Sequence, residues 1–346
     1  MSTSLQRYGI ASGGNWIVDR IKMIDHFPGR GLLANILSET RGTGGAPPNV
    51  LMDLARLQAP FPLTGLGVIG RDEDGALLLD ACRLLAIDTR FLRILDQVPT
   101  SYTDVMTDSA TGDRSFYHNR GANARFTPDL VPIHQLTCRI FHLGYLLLLD
   151  AMDQPDPETG TVASRLLRAL QAAGIKTSLD VVSEDSDRFR TLVPPALAHV
   201  DYLILNEIEI GRIVGLAVRH PDGTLDTGAL IEAVDRIYAS GPMELVAVHM
   251  AEGVYLRNRA GLRWSRGSRR LPPGFIRSSV GAGDAFCAGM LYGLHEGWPI
   301  EQAGELGIAT ATASLANSTA TGGVQSRAEV LAIAAQFPER PSPVKV

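Results

Sequence analysis

The chain has 346 residues, 45% of them hydrophobic and 20% charged, and its 32 basic and 37 acidic residues leave a net charge of −5. The apolar share excludes a disordered chain, and weak acidity without a clustered basic surface argues against a nucleic-acid-binding protein. The longest strongly apolar run, 143–149, is far shorter than the ~20 residues that span a bilayer. Neither a nucleic-acid nor a membrane partner is therefore predicted.

The N-terminus lacks the basic and apolar regions of a secretory signal, and Cys82, Cys138 and Cys287 form no C-x-x-C pair. Isolated cysteines of this kind are typical of small buried side chains in a reducing compartment. A cytoplasmic protein is expected, and its length suits one large domain or two medium ones.

A short polar segment near the N-terminus is a candidate sugar contact. The run Gly13-Gly-Asn-Trp-Ile-Val-Asp19 is predicted to end a strand that begins at Tyr8, with Asn15 inside it. A carboxylate such as Asp19 at a strand end could bind sugar hydroxyls, and the alternative is that it is simply solvated. The pattern leaves both interpretations open.

A glycine-rich loop is predicted at the start of the first helix. Gly44 and Gly45 precede two prolines, which fix a helix start, and apolar residues recur at helical spacing after Asn49. The loop backbone would be open to a ligand, and the Asn49 amide could both donate to and accept from a polyol. An ordinary loop-to-helix junction explains the same residues.

The next glycine pattern, Gly65-Leu-Gly-Val-Ile-Gly70, satisfies the G-x-G-x-x-G spacing of a dinucleotide site but not its context. Such a site should follow a strand and open a helix, whereas this segment itself has the composition of a strand and precedes a turn over 71–75. A dinucleotide-binding fold is therefore not predicted, and the sequence contains no Walker A loop.

Polar and bulky residues alternate over 101–107 and 114–119, which predicts an antiparallel hairpin with one solvated face. Together with residues 16–24 it would form a small sheet that projects from the main body as a lid or an oligomer contact. His118 and Arg120 could reach a substrate, although charged hairpin residues are usually surface positions.

Beyond residue 128, apolar strand-like runs alternate with helical segments, which favours a mostly parallel sheet covered by helices. Strands are predicted over 140–149, 177–182, 202–205 and 245–249, and helices over 162–173, 207–214 and 230–240. Asn206 with Glu209 matches a helix capping box. The same carboxylate could instead lie near a phosphate-bound Mg²⁺.

The most informative loop lies near the C-terminal end. Gly281 and Gly283 precede a helix predicted to begin near Asp284, because apolar residues then recur every four positions. Backbone N–H groups that converge at a helix N-terminus bind anions, above all phosphate. An aspartate in that first turn could accept the proton of a hydroxyl that attacks a phosphoryl group. A glycine turn followed by an aspartate N-cap would give the same sequence without function.

Taken in chain order, these segments resemble the ribokinase-like (PfkB) family of carbohydrate and nucleoside kinases over nearly the whole chain, from Gly13 to about Ser326. The similar segments are the strand that ends in Asp19, the Gly44–Asn49 loop, Gly70-Arg-Asp-Glu-Asp-Gly75, Asn206 with Glu209, and Gly281-Ala-Gly-Asp284. The resemblance implies an α/β fold of three layers, α/β/α, with a mostly parallel central sheet and a small β-sheet lid. It also implies ATP, Mg²⁺ and phosphorylation of a substrate hydroxyl.

The resemblance further implies a role for each matching residue. It makes Asp284 the general base, with an anion hole formed by Gly281, Ala282 and Gly283. It assigns the sugar to Asp19, Gly44, Gly45 and Asn49, to which Asn15, His118 and Arg120 are added as candidates. The nucleotide side comprises Asn206, Glu209, His249, Glu252, Gly253 and Thr310, and Glu209 would act on Mg²⁺ through water.

The chain also departs from the family pattern. Ser278-Ser-Val280 stands where the family commonly has Asp-Thr-Thr, and the missing aspartate puts a monovalent-cation site in question. Ala251 replaces the usual first glycine of the nucleotide loop, Thr310 stands at a frequent asparagine position, and Asp180-Val-Val182 alters a D-x-N element. These changes weaken the nucleotide contacts but leave the base and the anion hole intact.

The sequence therefore predicts one kinase domain over 1–335, with a lid from about 15–45 and 98–125, and a frayed tail over 336–346. The predicted activity is ATP-dependent phosphorylation of a sugar or sugar-acid hydroxyl by a homodimer that forms through the lid. Two alternatives stay open: a nucleoside kinase on the same scaffold, and a non-catalytic sugar-binding or regulatory protein.

Overall fold

A computed structural model describes residues 7–184, 186–241 and 243–346. Its strands, in chain order, are β1 (Ile10–Gly14), β2 (Ile17–Ile24), β3 (Ile36–Gly44), β4 (Leu63–Gly70), β5 (Asp88–Leu95), β6 (Ser101–Asp108), β7 (Arg114–Asn119), β8 (Ile140–Leu146), β9 (Pro155–Asp156), β10 (Gly160–Thr161), β11 (Lys176–Val181), β12 (Tyr202–Asn206), β13 (Leu245–Met250), β14 (Gly253–Asn258) and β15 (Arg263–Gly267). Its α-helices are α1 (Ala46–Arg56), α2 (Glu73–Leu84), α3 (Val162–Ala172), α4 (Phe189–Leu197), α5 (Glu207–Val214), α6 (Thr227–Ser240), α7 (Ala282–His295), α8 (Ile300–Ser314) and α9 (Arg327–Ala335).

The central sheet has the strand order β15-β14-β13-β12-β11-β8-β1-β4-β5. Neighbours are parallel from β13 to β5, and only β14 and β15 are added antiparallel. Parallel strands need crossover connections, whose helices bury both faces of a sheet. Accordingly α3 to α6 pack on one face, and α1, α2, α7, α8 and α9 on the other. The predicted three-layer α/β/α fold with a mostly parallel sheet is confirmed.

A second sheet, which we call the lid, has the order β3-β2-β6-β7. The predicted hairpin is present as β6 and β7, and β2 pairs with β6 in parallel. Along β6 every second residue is buried, beginning with Ser101, and the residues between are half-buried. Because side chains of a strand alternate between two faces, the lid has an inner face that carries the buried set.

The prediction that the first strand ends at Asp19 was wrong, whereas the prediction that residues 16–24 belong to the small sheet is confirmed. β1 ends at Gly14, and Asp19 lies within lid strand β2 instead of at the end of β1. The chain leaves the central sheet at Gly14, whose φ is +132° and whose missing Cβ would lie 2.4 Å from the carbonyl oxygen of Gly144. Asp19 therefore approaches the central sheet from the lid side.

The last residues, predicted to fray, are held against β15. The Arg340 N–H donates to the carbonyl of Ser268 at 2.8 Å, and the Ser342 hydroxyl donates to the carbonyl of Ser265. Val344 is buried among core side chains. A pattern rich in proline has no helical or strand periodicity, so the sequence did not reveal this packing.

The three cysteines are unpaired and buried, as predicted. Over the ranges that the structure describes, no helix combines the length and the apolar character needed to cross a bilayer.

Candidate active site

Five strands of the central sheet end at the same edge, where a polar side chain closes or follows each one: Asn15 after β1, Tyr145 in β8, Asp180 in β11, Asn206 in β12 and His249 in β13. Ligands of open α/β sheets bind outside the carboxyl ends of the strands. A cavity of about 180 Å³ lies at this edge, and its lining includes the carboxylates of Asp180, Glu209 and Asp284. A wider cleft of about 500 Å³ adjoins it and shares His249, Asn206 and Gly283 with it.

The N-terminus of α7 borders both spaces. Gly281 has a φ of +78°, and a Cβ at this position would lie 2.6 Å from Ala320, so only glycine fits. No side chain caps this helix. The Ala282 N–H donates to the carbonyl of Ser279 at 3.3 Å, whereas the N–H groups of Gly283 and Asp284 have no acceptor among the described residues. Free N–H groups at a helix start suit an anion.

The structure brings Asn49 and Asp284 together, although 235 positions separate them. The Asn49 amide of α1 donates to Oδ2 of Asp284 at 2.8 Å, and the Tyr145 hydroxyl lies 3.1 and 3.2 Å from the two carboxylate oxygens. Burial, with the nearby Asp180 carboxylate, raises the pKa of Asp284 to about 7, although the hydrogen bonds from Asn49 and Tyr145 act in the opposite direction. Asp284 is thus a buried carboxyl that titrates near neutral pH.

Asp19, Thr103 and His118 form a row across the inner face of the lid, since Asp19 pairs with Thr103 and Thr103 with His118. The carboxylate of Asp19 lies against the backbone of Gly44. Burial and the charge of Asp284 raise the pKa of Asp19 to about 7. Burial lowers the pKa of His118 to about 4, so its ring is neutral near pH 7, with Nδ1 at 3.0 Å from the Thr103 hydroxyl.

Two other predicted sugar contacts are largely occupied within the protein. Arg120 lies 3.0 Å from Asp150 and 3.5 Å from Glu184, and it also donates to the carbonyl of Leu147. The Asn15 amide donates to the carbonyls of residues 144 and 145, which leaves only its oxygen without a partner in the described chain.

On the nucleotide side, His249 and Gly253 line the wider cleft, but two predicted contacts do not. The carboxylate of Glu252 is held by Arg219 through two hydrogen bonds of 2.9 and 2.8 Å. Thr310 is fully buried, and its hydroxyl donates to the carbonyl of Leu306 at 2.7 Å. Ala311 and Thr312 line the cleft instead, because they lie on the face of α8 that is turned toward it.

Asn206 and Glu209 form the predicted capping box of α5. The Glu209 N–H donates to Oδ1 of Asn206 at 2.8 Å, and the Glu209 carboxylate accepts from the Asn206 N–H and from the Ser183 hydroxyl. Burial raises the pKa of Glu209 to about 7. No cluster of three or more metal-binding side chains occurs in the part of the chain that the structure describes.

The oxygen-rich lining from Asp180, Glu209 and Asn206 is nevertheless chemically suited to Mg²⁺. Magnesium prefers oxygen ligands and is usually held by one or two carboxylates together with water and substrate phosphates. Since protein donors already occupy both oxygens of Glu209, the residues present fit an ion bound mainly by phosphate and water.

Three polar residues at the site were not predicted from the sequence. Tyr145 contacts Asp284 as described. Asp53, one turn after Asn49 in α1, is completely buried, and neither carboxylate oxygen has a partner among the described residues. Burial and the charge of Asp284 raise the pKa of Asp53 well above its usual range. Arg114 at the start of β7 donates to the Ser279 hydroxyl at 3.3 Å, which joins the lid to the loop before α7.

Of these three, only Asp53 had a signal in the sequence: it is an acid four positions after Asn49, on the same helix face. Tyr145 lies within an apolar run and Arg114 within an alternating hairpin. Each fits the ordinary residue pattern of its strand, so nothing in the sequence marked either one as a site residue.

Comparison with known proteins identifies relatives over most of the chain. The profile of the pfkB family of carbohydrate kinases matches residues 11–327. Ribokinase from Arabidopsis thaliana is 25% identical over 263 residues, which cover 74% of this chain but only 62% of that protein. The 5-dehydro-2-deoxygluconokinase of Shouchella clausii (strain KSM-K16) is 20% identical over 308 residues, which cover 86% of this chain and 87% of that protein.

The structure of Arabidopsis thaliana ribokinase complexed with ribose and ATP superposes with a TM-score of 0.75 at 20% identity, covering 94% of this chain and 98% of that one. This likeness supports the same fold, with a large mostly parallel sheet and a small second sheet. Because the family profile matches nearly the whole sequence, the chain belongs to the pfkB family of carbohydrate kinases, enzymes whose phosphoryl acceptor is an alcohol group.

Proposed function

We propose that this protein uses ATP to phosphorylate a hydroxyl of an uncharged sugar, with Asp284 as the general base. The observation that carries the proposal is the position of Asp284. Its carboxyl lies in the first turn of an uncapped helix. The N–H groups of Gly283 and Asp284, beside it, have no hydrogen-bond acceptor in the described chain. A proton acceptor and an anion site are thereby held side by side.

In the proposed reaction the acceptor O–H gives its proton to the Asp284 carboxylate while its oxygen bonds to the γ-phosphorus. The bond from that phosphorus to the bridging oxygen breaks, and ADP leaves. The N–H groups of Gly283 and Asp284 stabilise the charge on the transferring group. A positioned general base contributes about 10²–10⁴-fold.

The charges around the lid row favour an uncharged acceptor over a sugar acid. Asp19 and the neutral His118 can exchange hydrogen bonds with hydroxyls, whereas the cation of Arg120 is already paired with Asp150 and Glu184. Arg114 forms no ion pair among the described residues, but it lies on the inner face beside Thr107, four residues along β6 from Thr103. Four residues of a strand span about 13 Å.

The position of Arg114 suits the donor instead. It contacts Ser279, which lines the wider cleft two positions before Gly281. Guanidinium groups bind phosphate strongly, so Arg114 is suited to the phosphates of ATP. Mg²⁺, held mainly by those phosphates and water near Asp180 and Glu209, would supply further charge neutralisation. Ser278 uses its hydroxyl to accept from the Val280 N–H, and no monovalent cation is included in the proposal.

A nucleoside is the second candidate acceptor. Beside the row of Asp19, the next inner-face row of the lid consists of Ile21, Val105 and Phe116, and Phe116 is 59% exposed. Such an apolar row could cover the base of a nucleoside, while the sugar lay at the polar row.

An ATP-consumption assay over matched acceptors tests these alternatives. The panel pairs neutral pentoses and hexoses with their corresponding sugar acids, and adds purine and pyrimidine nucleosides, each with and without Mg²⁺. We expect turnover with a neutral sugar and at least about tenfold lower kcat/KM for its acid, since an unpaired buried charge is costly. Preference for an acid or a nucleoside would overturn the acceptor assignment. Sugar binding by calorimetry without any ATP consumption would indicate a non-catalytic protein.

We also infer a homodimer that forms through the lid. Leu32 and Leu33 are 74% and 79% exposed, and Ile36 and Leu37 continue this apolar surface into edge strand β3. Apolar clusters and edge strands of this kind are usually covered. Light scattering should give twice the monomer mass, and the double variant Leu33→Glu with Ile36→Glu should be monomeric.

The buried unpaired cysteines suit a reducing compartment, so we assign the enzyme to the cytoplasm.

A further inference from the structure

The Tyr145 hydroxyl occupies the approach to the Asp284 carboxylate. It lies 3.1 Å from Oδ1 and 3.2 Å from Oδ2, and Asn49 covers Oδ2 from the other side at 2.8 Å. A hydroxyl nearly equidistant from both oxygens stands in front of the carboxylate. An acceptor hydroxyl that donates its proton to Asp284 must approach through the same space.

The backbone holds Tyr145 in this place. Its φ is +55°, a left-handed conformation that bulky residues seldom adopt. The Tyr145 N–H donates to Oδ1 of Asp180 at 2.7 Å, and its carbonyl accepts from the Asn15 amide at 2.9 Å. Unusual backbone conformations persist only when the surroundings fix them, and they concentrate at functional sites. Two buried polar side chains therefore maintain a conformation that directs the phenol at the base.

We propose that Tyr145 is a positioning residue that holds the Asp284 carboxylate in the acceptor-free enzyme and keeps water from it. The inference rests on the proposed function, because it takes Asp284 as the base. When a sugar binds, its hydroxyl replaces the phenol as the donor to Asp284. Without a sugar the phenol stays in place, so no water molecule is activated against the γ-phosphorus and ATP is not wasted.

The phenol can serve as this donor throughout the working pH range. Burial and the charge of Asp284 raise the pKa of Tyr145 well above its usual range, so the hydroxyl keeps its proton. Other titratable groups also face Asp284 from the surrounding elements, and a pH experiment must take them into account: Asp19 on β2, Asp53 on α1, His142 on β8, Asp180 on β11 and Cys287 on α7.

The first test compares ATP hydrolysis without any sugar in wild type, Tyr145→Phe and Tyr255→Phe, at about pH 9 so that Asp284 is deprotonated in each of them. Tyr255 is a matched control, because it is a completely buried tyrosine of β14 whose hydroxyl has no partner among the described residues. We expect Tyr145→Phe to hydrolyse ATP at least about tenfold faster than wild type, in line with the loss of a hydrogen bond to a charged group. Tyr255→Phe should match wild type. Unchanged hydrolysis in Tyr145→Phe would overturn the water-exclusion role.

The second test measures the pKa of Asp284 directly, by ¹³C NMR of labelled aspartate carboxyls, with Asp284→Asn to assign the signal. Removing a donor from the carboxylate destabilises its charged form, so in Tyr145→Phe the titration should move upward by about one pH unit. The same shift should appear in Tyr145→Gly, a variant that tolerates the left-handed backbone if the phenylalanine variant does not fold. An unmoved titration would overturn the positioning role.

The two readouts separate this inference from the proposed function. If no sugar is phosphorylated by wild type, the proposed function fails, whereas the NMR titration still decides whether Tyr145 holds Asp284.

Discussion

The N-termini of α5 and α7 lie at the same edge of the sheet, but they differ in how the free backbone N–H groups of the first turn are satisfied. At α5, Asn206 and Glu209 satisfy each other's backbone N–H groups in a capping box. At α7, no side chain caps the helix, and the first-turn carboxylate of Asp284 points to Asn49 and Tyr145 instead of to its own backbone. A capped terminus is internally complete, whereas an uncapped one leaves N–H groups for a ligand. We therefore expect the cap of α5 to contribute to stability and the open N-terminus of α7 to take part in the proposed phosphoryl transfer.

The largest effect is expected from Asp284→Asn. If Asp284 is the general base, as proposed, its loss should lower kcat by about 10²–10⁴-fold, while the Kd of ATP stays within about threefold of wild type. Glu329→Gln is a matched control, since Glu329 occupies the same first-turn position in the capping box of α9. Rapid-quench turnover and ATP titration calorimetry give both quantities. Near-normal turnover of Asp284→Asn would show that the N-terminus of α7 does not supply the general base.

Gly281→Ala tests the anion site while it leaves the Asp284 side chain chemically unchanged. The added Cβ would meet Ala320 in a backbone conformation that alanine seldom adopts, so the first turn of α7 should shift. Losing alignment of such N–H donors should lower kcat by about 10²–10³-fold. Gly223→Ala carries the same positive φ but has open space around it, so it should lose stability and keep its turnover. Equal turnover in the two variants would show that the α7 terminus does not hold the phosphoryl group.

The pH dependence of kcat/KM follows from the raised pKa of Asp284, about 7. The base acts only when deprotonated, so kcat/KM should be level above this pH and fall tenfold per pH unit below it. Steady-state assays between pH 5 and 9 at constant ionic strength measure the pH at which kcat/KM begins to fall. A fall that begins only near the ordinary aspartate pKa of about 4 would mean that Asp284 is not the group whose ionisation controls the rate.

The smallest effect is expected at α5. Asn206→Ala removes the cap and should lower the free energy of unfolding by about 1 kcal/mol, with kcat changed less than about threefold. Denaturant unfolding measures the change in the free energy of unfolding, and the Mg²⁺ concentration at half-maximal rate measures the metal requirement. A tenfold change in the Mg²⁺ requirement would contradict a purely structural cap and would mean that this helix start binds the ion directly instead of through phosphate and water.

The sequence revealed those parts of the site that depend on local chemistry. Gly281 and Asp284 could be found because a tight turn and a helix start have a short-range pattern, and the cap at Asn206 could be found for the same reason. The contact between Asn49 and Asp284 needs α1 and α7 to pack together, so no local pattern could reveal it. The family resemblance implied only a separate role for each residue.

Other features depend on tertiary structure alone. Arg120 had the pattern of a free lid cation, but Asp150 and Glu184, which pair with it, come from distant loops. The first strand was extended too far, to Asp19, because a positive φ at Gly14 cannot be inferred from an apolar run. The segment 16–24, which includes Asp19, does lie in the small sheet as predicted. Tyr145 could not be found, because a left-handed residue inside a buried strand has no sequence signature.

The packed C-terminal segment has a consequence for truncated forms of the protein. Arg340 lines the wider cleft, and Val344 is buried among core side chains. A chain cut before Arg340 would therefore lose one wall of that cleft while it kept α7 and Asp284. Its carboxylate would stay in place although the neighbouring cleft was incomplete.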